Sequence, residues 1–288
     1  MALSAACLLV VSSTQSQEWY VGMTFGGANY QGELQDKKLY LEGMTPGLGL
    51  SALYAYNDRL SASLELFKGV LTGSDARPDS RNRNRNLQFV TQLFDLTLAG
   101  RCNLYNSRDF AFIPYLIGGV SLFHIDPYTT DGVQGRVYLF PLSTEGQGLR
   151  AYPEIPVQQN LNYALMGGGG IEVRLTEKLR MDVEVGFRKT FTDYIDDVSG
   201  YFPDPTMLLA ERGNMAVRFS YRGGELPGGS RDFPKGTLRG NPETDDWYHV
   251  VSIRFRYPIL SWDLESMYKR HILQKTGWPY NWYRRDRR

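Results

Sequence analysis

Residues 179–187 read LRMDVEVGF, with Leu179, Met181, Val183, Val185 and Phe187 on one parity and Arg180, Asp182 and Glu184 on the other. Successive side chains of a strand point to opposite faces, so this stretch separates an apolar environment from a charged one. Which of the two faces looks inward distinguishes a soluble β-sandwich from a membrane barrel.

The same period of two recurs along most of the chain. In LFDLTLAGRCNLY, Asp95, Thr97, Arg101 and Asn103 oppose Phe94, Leu96, Leu98, Cys102 and Leu104. Glu172 and Arg174 oppose Ile171, Val173 and Leu175, and Ser252, Arg254 and Arg256 oppose Val251, Ile253, Phe255 and Tyr257. In LSASLELF the polar side is Ser61, Ser63 and Glu65, against Leu60, Leu64 and Leu66.

Alternation and turn residues predict eight strands, at roughly 18–30, 45–56, 60–72, 87–105, 109–127, 162–175, 179–195 and 247–257. The joins Asn57-Asp58-Arg59, Asn106-Ser107-Arg108 and Thr176-Glu177-Lys178 are tight and rich in turn formers. The other joins, about 31–44, 73–86, 128–161 and 196–246, are long and hold most of the proline. Short turns at one end, long loops at the other and an even strand number describe an all-β protein, an eight-stranded antiparallel transmembrane β-barrel with short periplasmic turns and long extracellular loops.

In such a barrel lipid covers the apolar parity and the charges turn inward. The expected lumen network is Glu65, Asp95, Glu172, Asp182 and Glu184 with Arg101, Arg174, Arg180, Arg188, Arg254 and Arg256. Eight strands enclose a space that side chains just fill, so these groups are expected to pair as a plug. A wide diffusion pore is not expected.

Glycine and tyrosine are abundant, at 30 and 19 residues of 288. Gly22, Gly26, Gly47, Gly49, Gly119 and the run Gly167 to Gly170 fall within strands, where a missing side chain relieves crowding. MGGGG lacks the Lys-Ser/Thr of a phosphate loop and leads into the alternating IEVRL. Trp19, Tyr54, Tyr56, Tyr105, Trp247 and Tyr257 sit near strand ends, where aromatic rings favour a membrane boundary or simply pack. Val251, Ile253, Phe255 and Tyr257 resemble the carboxy-terminal signal read by the barrel-assembly machinery, although Pro258 and a tail follow.

The opening MALSAACLLVVSSTQSQEWY reads as a signal peptide over residues 1–17, lacking a basic start, with a barrel over 18–259 and a tail over 260–288. A buried first strand or helix, or a lipoprotein acylated at Cys7, are the competing readings of that opening. Cleavage leaves Cys102 alone, so no intramolecular disulfide is expected. No apolar run is long enough for a transmembrane helix, and a formal net charge of +1 implies no nucleic-acid partner.

FTDYIDDVSGYFPDP (191–205), followed by MLLAERG and RGNPETDDWYHVVSIRFRY, with FGGANYQGEL, PYLIGGVSLFHIDP and PLSTEGQGL elsewhere, resembles an outer-membrane β-barrel family associated with the type IX secretion component PorG. The resemblance spans about residues 18–257. It implies an OmpA-like eight-stranded barrel and, for PorG-like members, association with a periplasmic ring that contains a lipoprotein. The tail beyond Tyr257 departs from the family.

Chemistry is sparse. Ser121 and His124, like His249 and Ser252, are three apart on strands and face opposite sides, so the histidines read as rim residues and no catalytic site is expected. No metal-ligand spacing appears, and no cofactor is expected. Asp196-Asp197 and Asp245-Asp246 read either as oxygen ligands for a divalent cation near lipopolysaccharide or as a solvated acidic loop. RPDSRNRNRN, with Arg77, Arg81, Arg83 and Arg85, reads either as a contact for lipid phosphates or as a flexible hydrophilic loop.

The tail lies in the periplasm if the first strand starts there. Asp263 caps an expected short helix to about Gln274, and Trp278, Tyr280, Trp282, Tyr283, Arg284 and Arg285 suit the inner-leaflet headgroup zone, a protein docking surface or a frayed end. The expected function is a non-enzymatic, PorG-like barrel that anchors or organises a type IX secretion machine through a periplasmic ring lipoprotein. A lipid A-modifying enzyme and a surface adhesion or membrane-stabilising barrel are the alternatives.

Overall fold

The computed structural model describes residues 17–35, 43–76, 80, 82–105, 111–132 and 135–262. The proposed signal segment before Gln17, the turn 106–108, Arg77, Arg81 and the tail from Asp263 lie outside the described residues.

Strands β1 (Gln17–Gln31), β2 (Thr45–Ala55), β3 (Leu60–Ser74), β4 (Gln88–Asn103), β5 (Phe112–His124), β6 (Tyr128–Asp131), β7 (Gly135–Tyr138), β8 (Leu161–Arg174), β9 (Arg180–Thr190) and β10 (Trp247–Trp262) form one antiparallel sheet. Its order is β3-β2-β1-β10-β9-β8-β5-β4, closed by β3 pairing with β4, with the β6–β7 hairpin attached beyond β4. Eight strands therefore close into a barrel and leave it without a free edge. Closure matters in lipid, where an unpaired backbone group costs several kcal/mol, on the order of 4.

The outer surface is apolar. Val21, Met23 and Phe25 of β1, Leu64 and Leu66 of β3, Leu116 and Leu122 of β5, and Ile253 and Phe255 of β10 are exposed, while their strand neighbours Thr24, Glu65, Ser121 and Arg254 are buried. In β9, Val183 and Phe187 face out and Asp182 and Glu184 face in, so the charged face of LRMDVEVGF is the inside. Trp19, Tyr56, Tyr105 and Tyr257 ring the short-turn end, and Trp19 packs on Tyr54 at 5.0 Å. Cys102 forms no disulfide among the described residues.

Close strand approach explains two glycines. A Cβ on Gly119 would lie 2.1 Å from the Leu98 carbonyl oxygen, and one on Gly168 would lie 2.2 Å from that of Val185. Gly167 is different: it faces outward, with nothing within 4 Å of where its Cβ would stand.

Several boundaries differ from the sequence expectation, β9 ending at Thr190 rather than near 195 and β5 running Phe112–His124. Strand β10 runs through Pro258 to Trp262, because a bulge opposite Trp19 and Tyr20 places the proline, which has no N–H to donate, at an irregular step of the ladder. The stretch expected as a loop after residue 127 begins with the β6–β7 hairpin. The last long connection contains helices α1 (Pro205–Arg212), capped by Asp204 accepting from the Thr206 N–H at 2.8 Å, and α2 (Asn214–Ser220).

Candidate functional site

Three layers are stacked along the barrel axis: a polar layer near the short turns, an aromatic layer above it, and a cap folded from the long loops.

In the polar layer Arg256 Nε donates to Asp182 Oδ2 at 2.5 Å and its Nη2 to Glu172 Oε2 at 2.8 Å. Arg101 Nη1 donates to Asp182 Oδ1 at 2.9 Å, its Nη2 to Glu172, and its guanidinium lies 3.7 Å from the Tyr115 ring centroid. Arg254 Nη2 donates to Glu65 at 2.8 Å and to Glu184 at 3.4 Å, and Tyr115 donates its hydroxyl to Glu184 at 2.9 Å. Arg180 donates to Glu172 at 2.7 Å from the mouth. One level up, Asp95 accepts from Arg188 Nε at 3.2 Å, Tyr248 at 3.0 Å and Thr97 at 2.8 Å. Arg174 stands apart at the mouth, its buried Nε without a hydrogen-bond partner among the described residues. Strand parity is what brings these residues together, and Tyr115 escaped it because β5 carries Ile113 and Ile117 inward and Leu116 outward, so neither face reads as polar.

Above Asp95 the inward parity turns apolar. Phe67, Leu71, Phe89, Leu93, Phe123 and Tyr248 are buried and belong to one cluster that continues into Ile195, Val198 and Phe219 of the last loop. Phe123 and Tyr248 meet edge to face at 5.3 Å. The salt-bridge plug expected from the charges is thus only the lower part of the filling. Phe89 and Leu93 share the parity of Asp95, so the inner face of β4 is apolar above and polar below.

Among the described residues the long loops meet through buried polar contacts. Arg85 turns inward and pairs with buried Asp75 at 2.9 Å, while Arg83 stays exposed. Arg239 pairs with Glu145 at 2.9 Å, and Glu145 also accepts the N–H groups of Ser199 and Gly200 at 2.8 Å each. Thr144 donates to Asp197 at 2.5 Å, and Arg218 clamps Asp131 of β6 with two bonds of 3.0 Å. These contacts replace the solvated reading at the centres of both loops: Asp196, Asp197 and Asp246 are buried, Asp245 alone of the four is exposed, and Arg85 belongs to a buried ion pair. The reason is long-range packing, since each charge finds its partner on a different loop.

A carboxylate group sits at the junction of the first and last loops. One ligand atom from each of Glu33, Asp193 and Asp246 lies within 4.8 Å of the others. Asp246 accepts from Tyr30 at 3.0 Å and from the Ile195 N–H at 2.9 Å, and Tyr30 also donates to Asp196 at 2.6 Å. Burial, with the neighbouring acids, pushes Glu33 up to about 9 and holds Asp246 well above the usual carboxylate range. Burial likewise raises Asp193 to about 8, eased by nearby Ser199.

Both described histidines lie at the long-loop end of their strands, His124 closing β5 and His249 near the start of β10. Outward-facing His124 packs on Phe94 at 6.5 Å, whereas Ser121 points inward and shares a 2.6 Å hydrogen bond with Thr97. His249 is buried against Phe187 at 5.9 Å, and Ser252 is on the inner face.

A closed antiparallel barrel with an apolar exterior, a charged interior and long loops at one end is an outer-membrane barrel. The chain belongs to the outer membrane protein beta-barrel domain family, whose model matches residues 1–257. Similar solved structures include Neisserial surface protein A, at 11% identity over 84% of this chain and 97% of that one, with a TM-score of 0.43. The outer membrane protein OprG from Pseudomonas aeruginosa matches at 11% identity over 84% and 96%, with a TM-score of 0.40. Ail, the attachment invasion locus protein of Yersinia pestis, matches at 7% identity over 85% and 99%, with a TM-score of 0.41. A comparison with curated proteins finds no match. Membership in this family places the barrel in the outer membrane.

Proposed function

We propose that this protein is a non-enzymatic, PorG-like barrel that anchors or organises a type IX protein secretion machine through periplasmic partners. The observation that carries this reading is the filled interior. Ion pairs around Asp182 and Glu172, then the aromatic layer around Phe89 and Phe123, then the cap succeed one another along the axis. A barrel closed at every level works through its ends rather than through its lumen. The resemblance carried by residues 191–205 supports the secretion component in particular.

The periplasmic end offers a cavity of about 340 Å³ bordered by Tyr20, Asp58, Arg174 and Arg180, and the tail rich in Trp, Tyr and Arg follows β10 at that same end. On this reading the barrel-assembly machinery reads Val251, Ile253, Phe255 and Tyr257, which line the outer face of β10. Affinity purification from outer membranes is expected to recover a periplasmic ring lipoprotein, and removal of residues 263–288 to reduce that recovery. Purification of the barrel alone, or unchanged recovery without the tail, counts against the proposal.

A second reading is surface binding by the cap, favoured by exposed Tyr201, Met207, Leu209 and Leu238 on its folded exterior. Polar replacement of these four is expected to abolish surface adhesion if that reading holds, and to leave secretion intact.

A further inference from the structure

We propose that Glu33, Asp193 and Asp246 form a calcium site that fastens the first long loop to the last. The three carboxylates converge within 4.8 Å, a spacing that one hard cation spans with oxygen ligands. Convergence of acids alone would not point to a ligand, but the state of Asp193 does. That side chain is only 9% exposed, and neither of its oxygens meets hydrogen-bond geometry with any partner among the described residues; Ser199 lies close without completing a bond. Oε2 of Glu33 is likewise buried and unpartnered, while its Oε1 accepts from the Asn241 N–H at 3.3 Å. A buried carboxylate left without a donor is costly, by about 1–3 kcal/mol for an ordinary polar group and more for a charge.

The rest of the cap sharpens the contrast. Asp75 pairs with Arg85, and Glu145 and Asp197 share Arg239. Among the described residues no ion pair reaches Glu33, Asp193 or Asp246. The ligands are also pre-positioned: Tyr30 and the Ile195 N–H hold Asp246, and the Asn241 N–H holds Glu33. A divalent cation supplies the charge that no described arginine or lysine brings. Calcium suits the arrangement because it accepts irregular carboxylate geometry and completes its shell with water, whereas magnesium demands a near-ideal octahedron.

The full chain, refolded into lipopolysaccharide-free detergent micelles, tests this with terbium and calcium ions alone. Terbium emission excited through tyrosine is expected, because the Tyr30 hydroxyl lies 3.0 Å from Asp246, and calcium should chase it. Calcium should also raise the melting temperature above that in chelator. The pair Glu33→Gln and Asp193→Asn is expected to weaken calcium binding roughly tenfold or more. In chelator the same pair should melt at or above the wild type, because it removes the cost of burying two acids, so lost binding cannot be mistaken for misfolding. Should the pair fail to fold, Glu33→Gln alone, at a half-buried side chain, must show the same loss. Equal terbium emission in wild type and variant, or melting that ignores calcium, overturns the site.

Discussion

At the residue scale the protein stakes its stability on buried charges that cannot lose one partner without exposing another. Arg256 bridges Asp182 and Glu172, which lie within the barrel with almost no contact with solvent. Arg256→Leu is therefore expected to destabilise the fold by about 3–5 kcal/mol, read from the urea midpoint of folding into lipid vesicles. In the cap, burial raises Asp197 to about 7, although Arg239 and Thr144 favour its charged form. The folded chain then holds a proton that the unfolded chain has released between about pH 4 and pH 7, so stability is fully present below about pH 4, falls as pH rises and levels off above about pH 7. Melting in chelator across that range should show the decline in the wild type and a flatter profile in Asp197→Asn. Asparagine suits the site because Asp197 has φ 65°, a left-handed conformation that it tolerates. Nothing local in FTDYIDDVSG separates a buried aspartate from a solvated one, because the partners Thr144 and Arg239 come from 53 and 42 residues away.

At the element scale parity governs. A strand that must keep one face in lipid and the other in a crowded lumen can show its alternation in sequence, which is why β3, β8, β9 and β10 were legible residue by residue. Where both faces are apolar the signal fades, as in β5 and the upper half of β4, and the aromatic layer went unread for that reason. Close approach adds a second constraint that parity does not express. Gly119→Val and Gly168→Val should abolish the heat-modifiable gel band of the folded barrel, since their side chains would collide with facing backbone. Gly167→Ala, next in line but with its Cβ position open to the lipid side, should fold like the wild type. Identical behaviour of all three would contradict the register described for β5 and β8.

At the scale of the whole molecule the layers make closure redundant. Vesicles containing the protein are expected to take up sugars no faster than empty ones, and the same result is expected after the cap segment 193–245 is replaced by a short linker, because the polar layer around Asp182 remains. Rapid uptake by either form would show a conduit through the lumen. What the sequence determined by itself was the barrel, its strand number, the outward face of each clear strand and the side on which the charges lie, since those follow from a local period of two set against lipid. Tertiary structure alone decided which charge meets which, that the upper lumen is aromatic, that the long loops fold into a cap, and that Glu33, Asp193 and Asp246 converge. These are contacts between residues far apart in the chain, and a loop without a period carries no local mark of the partner that will bury it.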